Sequence, residues 1–543
     1  MVPPHPHGVQ PGGNLLLREG VAAARAHASR RAGLGFFSQL DDALILKICS
    51  FATAASLGTL CVASYVFSAY ADFEEHWRTL CAQHAAGAPA RFTGSWKQSL
   101  LDSMHARSSA GKLQPPLATP LPTPIRARTR GVSVFSDALY LPHQLTHGPN
   151  HFGTSPRGPP VARIAKDSVP DLPGFVKEFE SGVGKPVIIE GSTARAVGSN
   201  TLGAGSTCWD EDSLRSTLGE RIFHAGGVNF KLSDYLDYAH ANSDDQPLYL
   251  FDPTFGCSAP ELLREYEPPP YFRDDLFSLL DYETARAQAG AGVATAEAST
   301  EESGPARPDY RWLLIGGKRS GQSWHKDPNM TSAWNLTLRG RKRWLFFPPH
   351  VTPPGVFPIS SDGGHDYVTP IALAEWSRDF YAESCRTPGF VECETGPGDV
   401  TFVPRGWWHM VLNVAPLTVA VSHHFLSPAG LHTTLRLLRE TPWQVSGVDR
   451  GLARDAQSAG NAAQREAMTI AEREADDHAR RTAAGVALHD HLVAMLRKRR
   501  PEALDAAELL LNEEDAKRAA PPSKLKQLVA PVEAPPSFSF SFG

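Results

Sequence analysis

Apolar residues between positions 38 and 80 recur at helical spacing. Leu40, Leu44, Ile45, Ile48 and Phe51 share one face, and Ser38, Asp41 and Asp42 suit a helix start. Leu57, Leu60, Cys61 and Tyr65 predict a second short helix, and Phe73, Trp77 and Leu80 a third. Three short helices bury only a thin core, so this separate small all-α unit, residues 34–100, is expected to dock on a partner. The 21 residues Phe51–Ala71 carry no charge and are long enough to span a bilayer. Thr53, Ser56, Gly58, Thr59, Ser64 and Ser68 dilute the stretch, which predicts buried helices and no membrane span.

Residues 1–33 are Pro/Gly/His-rich and then Ala/Arg-rich with no apolar run, and predict a disordered leader. Prolines 115, 116, 120, 122 and 124 mark residues 101–160 as a stiff linker. From Val161 the pattern changes to short apolar strands bounded by turn residues. These are Lys185-Pro-Val-Ile-Ile-Glu, Pro247-Leu-Tyr-Leu-Phe, Trp312-Leu-Leu-Ile, Trp334-Asn-Leu-Thr-Leu, Lys342-Arg-Trp-Leu-Phe-Phe, Val400-Thr-Phe-Val and Leu417-Thr-Val-Ala-Val. Many short strands with Gly/Pro turns predict a mainly β core over 161–435, an antiparallel barrel or jelly roll, with flanking α-helices. Residues 288–308 read as a mobile insertion, and 436–543 as a helical C-terminal region with a disordered tail. Ala462–Arg500 predicts one or two helices within it.

Composition narrows the class. Of 543 residues, 42% are hydrophobic and 20% charged, which excludes wholesale disorder. A net charge of −5 disfavours nucleic-acid binding as the main task of the whole chain. The 7 cysteines are odd in number and contain no C-x-x-C pair, so reduced thiols in the nucleus and/or cytoplasm are expected.

The run Phe37-Ser-Gln-Leu-Asp-Asp-Ala-Leu-Ile-Leu-Lys-Ile, with Leu57-Gly-Thr-Leu-Cys-Val-Ala-Ser and His76-Trp-Arg, resembles an F-box. That family docks the Skp-type adaptor of cullin ubiquitin ligases, so the resemblance implies such a partner. Gln39-Leu40 and Ser64-Tyr65 stand where the family has Leu-Pro and Cys-Arg or Ser-Arg.

The chemistry lies elsewhere. Gly184-Lys185 is followed by Pro, so it is not a phosphate-binding loop, and neither H-E-x-x-H nor G-x-S-x-G occurs. His325-Lys-Asp327 places two ligand types at i and i+2, the same face of a strand. His409 follows on an apolar segment after Pro404-Arg-Gly406. Two imidazoles and one carboxylate leave three open metal positions, the facial arrangement of non-haem Fe(II) oxygenases. Lys342 alternates with apolar residues; pointing inward it needs an anion, and a 2-oxo diacid beside iron supplies one. The other reading makes it part of a solvated basic face with Arg339, Arg341 and Arg343.

The blocks Arg319-Ser-Gly-Gln-Ser-Trp-His-Lys-Asp-Pro-Asn-Met and Gly396-Pro-Gly-Asp-Val-Thr-Phe-Val-Pro-Arg-Gly-Trp-Trp-His resemble the Jumonji-C family of Fe(II)/2-oxoglutarate oxygenases. The similarity is to its lysyl-hydroxylase and arginine-demethylase-like branch, and the F-box pairing is similar to a plant or algal type. The resemblance implies a double-stranded β-helix, or cupin-like jelly roll. It implies Fe(II), 2-oxoglutarate and O2, with His325, Asp327 and His409 as iron ligands and catalytic residues. Lys342 would meet the distal carboxylate of 2-oxoglutarate, with Tyr249, Asn335 and Ser422 lining the pocket. Gln322 replaces a small hydroxyl residue of the branch, and His424 an asparagine near the iron. The implied reaction hydroxylates a protein side chain: lysyl hydroxylation, or demethylation of N-methyl-arginine or N-methyl-lysine, in a substrate such as a histone or an RNA-processing factor. Two other classes stay open: a non-catalytic F-box substrate receptor, and an RNA-modifying oxygenase. The latter rests on eight Lys/Arg against one acid in 311–350.

Overall fold

Alternation of side chains across the strands sorts them into two sheets. The chain is described from a computed structural model covering residues 2–11, 21–85, 90–109, 134–148, 151–191, 208–281, 307–358, 367–369, 372–448 and 468–519. Eight strands form the core: Arg311–Gly317 (β1), Gly321–His325 (β2), Ser332–Arg339 (β3), Lys342–Phe347 (β4), Val391–Thr395 (β5), Val400–Val403 (β6), Trp408–Asn413 (β7) and Leu417–Phe425 (β8). One sheet runs β6-β3-β8-β1 and the other β5-β4-β7-β2, with every neighbour antiparallel. This is the expected double-stranded β-helix. The first sheet is widened to nine strands by Val187–Glu190 and Ala162–Ala165 on one side and by Leu250–Asp252, Ile222–Ala225 and Val228–Lys231 on the other.

The inner faces meet in an apolar cluster. Trp344, Phe346, Cys393 and Val411 of the four-stranded sheet pack with Ala333, Val403 and Ile188 of the larger one. Gly340 turns β3 into β4 with φ +76°, and a Cβ there would come 2.3 Å from the Leu417 carbonyl oxygen, so only glycine fits.

The N-terminal helices are Asp42–Ser50, Ala54–Ala63, Tyr65–Ala71, Glu74–Ala85 and Trp96–Ser109. Asp41 and Thr53 accept from the Leu44 and Ser56 backbone N–H groups at 2.7 and 3.2 Å, an N-cap for each of the first two. The predicted second helix is two, because Ser64 leaves the helix and caps the next by accepting from Phe67 N at 3.0 Å. Among the described residues no helix is long and apolar enough to cross a membrane. These helices do not stand apart as a separate unit. Ile45, Leu57, Tyr70 and Trp77 share one continuous core with the large sheet, and Trp96 packs on Phe230 and Tyr238 with its indole N–H donating to Asp244.

Other expected boundaries shift. The leader is ordered where described: Val9–Gln10 pairs with Val134–Phe135, and Val21–Leu34 is a helix whose Arg30 donates to Leu40 O at 2.6 Å. The linker begins inside a helix, Trp96–Ser109, and holds a second one, Asp137–His147, before the turns of 151–160; residues 110–133 and 149–150 lie outside the described residues. So do 288–306 of the expected insertion and the tail beyond 519.

Among the described residues a second compact unit comprises 274–281, 307–308, 328–330, 426–448 and 468–519. Leu431–Glu440, Ile470–Arg499 and Pro501–Ala519 bury Leu431, Leu435, Leu438, Leu488, Leu492, Leu496, Leu504 and Leu511 together. The boundary expected at 435 therefore falls inside a helix and moves to 426. In this unit the turn Pro328–Met330 holds Asn329 and Met330 at φ 58° and 55°. Asn329 offsets that strain with paired bonds to Ser446, 2.9 Å to its carbonyl and 3.0 Å from its N–H.

Candidate active site

Register brings the sequence-predicted residues onto one face. His409 on β7 stands directly opposite His325 at the end of β2, with ring centroids 4.0 Å apart. The register shifts between His409 and Val411, where two steps along β7 face three along β2, Gln322–His325. β2 stops at His325, so Asp327 lies just past the strand rather than on it. The donor atoms of His325, Asp327 and His409 nevertheless all lie within 4.8 Å of one another.

The tautomers follow from hydrogen bonding. His325 Nδ1–H donates to Ser323 O at 2.8 Å and His409 Nδ1–H to Trp407 O at 3.2 Å; carbonyl oxygens only accept. Both Nε2 lone pairs are therefore free. Burial, then the neighbouring His409, pushes His325 down to about 3, and burial lowers His409, so both rings are neutral at pH 7. Burial acts to raise Asp327, but His424 and then His409 outweigh it and hold the carboxyl below its ordinary range. Asp327 Oδ2 is buried with no hydrogen-bond partner. Two neutral imidazoles and an ionised carboxylate with an orphaned oxygen fit a ferrous ion.

Lys342 lies deeper on the same face. Along β4 and β7 the inward pairs run Phe346–His409, Trp344–Val411 and Lys342–Asn413. Lys342 thus sits four residues from the histidine pair, roughly 13 Å along the strand at about 3.3 Å per residue. It is 1% exposed, donates only to the Tyr249 hydroxyl at 3.2 Å, and meets no carboxylate among the described residues. Burial lowers its pKa to about 7. Asn413 Oδ1, Asn335 Oδ1 and Thr401 Oγ1 are likewise buried without partners. Asn335 on β3 stands between Thr401 on β6 and Ser422 on β8, whose hydroxyl donates to Trp334 O at 3.2 Å. The sheets close here through Thr337 Oγ1 and Thr395 Oγ1, 3.2 Å apart. A buried amine lacking an anion, beside Tyr249 and Asn413 and with unsatisfied Asn335 and Thr401 atoms on the facing sheet, fits a diacid such as 2-oxoglutarate.

The solvated basic face is corrected. Lys342 points into the barrel, and Arg343 is buried on the opposite side of β4, paired with Glu392 at 3.1 Å. Gln322 stands opposite Val411 and is half-buried. Sequence reasoning missed Asn413 and Thr401. Counting alternation on from His409 through Val411 would have found Asn413; Thr401 needs the β3–β6 register.

Two facing antiparallel sheets with this cluster on their inner face define a cupin-type metal-dependent oxygenase. Residues 235–429 match the family model of the cupin-like domain. The chain is 33% identical over 445 residues to the arginine-specific demethylase JMJ22 of Arabidopsis thaliana, covering 81% of this chain and 76% of that one. It is 32% identical over 287 residues to the bifunctional arginine demethylase and lysyl-hydroxylase psr-1 of Caenorhabditis elegans, covering 49% and 63%. Over 144 residues it is 28% identical to the 2-oxoglutarate and iron-dependent oxygenase JMJD4 of Danio rerio, covering 26% and 32%. The chain belongs to the Jumonji-C, cupin-like family of 2-oxoglutarate- and iron-dependent oxygenases.

Proposed function

We propose that this protein hydroxylates protein side chains, with His325, Asp327 and His409 holding the iron and Lys342 holding 2-oxoglutarate. The observation that carries the reading is the buried, anion-less Lys342 on the same face as the His/Asp/His cluster. When bound, iron and 2-oxoglutarate supply the oxidising chemistry: one atom of dioxygen enters succinate as carbon dioxide leaves, and the other enters a substrate C–H bond. The residues' own tasks are binding and exclusion of water. Lys342 donates a charge-assisted bond to the distal carboxylate, with Tyr249, Asn335 and Ser422 as polar lining. Trp344, Phe346 and Val411 keep the space between iron and lysine dry. Hydroxylation of a lysyl carbon gives a stable product; hydroxylation of an N-methyl group collapses to formaldehyde and the demethylated amine. Both readings agree with the relatives' names. Mass spectrometry of lysyl and methyl-arginyl peptides, incubated with Fe(II) and 2-oxoglutarate, separates them by gain of an oxygen or loss of a methylene. No change in any peptide panel would count against a protein substrate.

The N-terminal helices fit a Skp-type adaptor in the nucleus or cytoplasm. Ile45 and Cys49 face the core, while Phe36 (79%), Phe51 (78%), Leu44 and Ile48 are exposed. Leu44, Ile48 and Phe51, at i, i+4 and i+7, share one exposed helical face, and a run of large apolar side chains in water marks an interaction surface. Leu44→Glu with Ile48→Glu is expected to abolish binding of a purified Skp-type adaptor while leaving turnover intact. An adaptor that never binds the wild-type chain rejects the assignment.

A further inference from the structure

Strand β8 places His423 and His424 on opposite faces. His423 packs outward, its Nε2 2.8 Å from the Tyr266 hydroxyl and its ring on Trp334. His424 turns inward with Ser422. Its ring lies against the Trp312 indole with centroids 4.2 Å apart, and its backbone N–H donates to Tyr310 O at 2.6 Å. Its Nε2 stands 3.1 Å from Asp327 Oδ1. The donor atoms that converge within 4.8 Å belong to His325, Asp327 and His409; His424 is outside that group and reaches the carboxylate. Asp327 Oδ2 has no partner.

We infer that His424 is a positioning residue for the metal-binding carboxylate. It holds the Asp327 carboxylate through an Nε2–H bond to Oδ1, the oxygen that also stands 3.6 Å from His409 Nε2 and so faces the histidine pair. The inference rests on the iron-site reading above. A carboxylate past the end of its strand is free to turn about its Cβ–Cγ bond, and each orientation that withdraws Oδ1 from the histidine pair weakens binding. A donor fixed on Oδ1 removes that freedom, and Trp312 keeps the donor's ring from swinging away. Outer partners of metal ligands typically contribute about 10- to 100-fold in metal affinity.

The test uses the whole chain, metal-free and without 2-oxoglutarate, titrated with Mn(II). His424→Ala is expected to weaken Mn(II) by about 10- to 100-fold with the metal-free melting temperature unchanged. His424→Gln, whose amide N–H reaches as far as Nε2, recovers most of the affinity and keeps the wild-type visible spectrum of the Co(II) form, because no ligand is lost. Wild-type Mn(II) affinity in the alanine variant overturns the inference. So does a glutamine variant as weak as alanine with an altered Co(II) spectrum, which makes His424 a ligand. If the alanine variant does not fold, His424→Asn decides: its shorter amide cannot reach Oδ1, and wild-type affinity in it overturns the inference. His325→Ala is the separate control; if that variant still binds Mn(II), the iron site itself is wrong, whatever His424 does.

Discussion

Two adjacent cations, Lys342 and Arg343, are both 1% exposed, yet they face opposite sides of the same strand and live in opposite circumstances. On the outer side Arg343 has a counter-charge and several acceptors. It donates to Glu392 Oε2 from Nε and Nη2 at 3.2 and 3.1 Å, to Ser155 O at 2.8 Å and to the Tyr381 hydroxyl at 2.9 Å. Glu392 in turn accepts from Tyr381 at 2.9 Å and from the backbone N–H groups of Arg157 and Gly158. On the inner side Lys342 has one neutral hydroxyl and, among the described residues, no counter-charge. A closed ionic network fastens the 153–158 segment to the sheet and serves the fold. An open one leaves a buried amine that burial drives toward its neutral form and that a ligand's anion would charge again.

The comparison breaks most completely at the metal. His325→Ala or Asp327→Ala is expected to abolish iron binding and turnover, because two remaining protein ligands do not hold Fe(II) tightly against water; full activity in either variant rejects the site. Next is the outer cation. Arg343→Ala strands the Glu392 carboxylate in the core, and breaking one side of a buried pair costs about 3–5 kcal/mol. Its melting temperature should fall steeply, or the chain should fail to accumulate. An unchanged melting curve would show that the network is not structural.

Lys342 should behave in the reverse way. Lys342→Met is expected to leave the metal-free protein at least as stable as wild type, since the methionine has no charge to bury. Lys342→Ala should weaken 2-oxoglutarate by roughly 10- to 150-fold, the loss of a charged hydrogen bond of about 1.5–3 kcal/mol at about 1.4 kcal/mol per decade. Metal affinity without 2-oxoglutarate stays the same, and Lys342→Arg recovers only part, because a planar fork does not replace a compact ammonium. Unaltered 2-oxoglutarate binding in the alanine variant would remove Lys342 from the pocket.

The smallest effect is linkage to pH. Lys342 is held at about 7 in the folded chain against an ordinary 10.5. Between those values the unfolded chain keeps the proton that the folded one has released. The Lys342 contribution to stability of the metal- and co-substrate-free protein therefore rises with pH across that window, and Lys342→Met should flatten it in denaturant titrations. Binding of 2-oxoglutarate at pH 8 should take up a proton, read calorimetrically in buffers of different ionisation enthalpy.

Residue type and short-range period made much of this legible. The alternation in Trp334–Leu338, Lys342–Phe347 and Leu417–Val421 announced the sheets, and Asp41 and Thr53 begin helices by capping that is local in sequence. The His325, Asp327 and His409 set was legible as chemistry, because two imidazoles and a carboxylate have ligand properties wherever they sit. Pairings without a period were not. Val9–Gln10 against Val134–Phe135 is a two-residue match across more than a hundred positions, and Ser64 splits a helix that apolar spacing alone would continue.

What the sequence by itself determined was which groups are present and which of them can share a face, since both follow from side-chain chemistry and a strand period of two. Only the tertiary structure decided how the faces meet. The β4–β7 register aligned Lys342 with Asn413 and His409 with Phe346, and the β7–β2 register set His409 against His325. The fold then buried Lys342 with no carboxylate among the described residues, gave Arg343 one from β5, and carried His424 from the last strand to Asp327 beyond the second. Register and burial are set by distant strands packing together, and no local pattern carries that information.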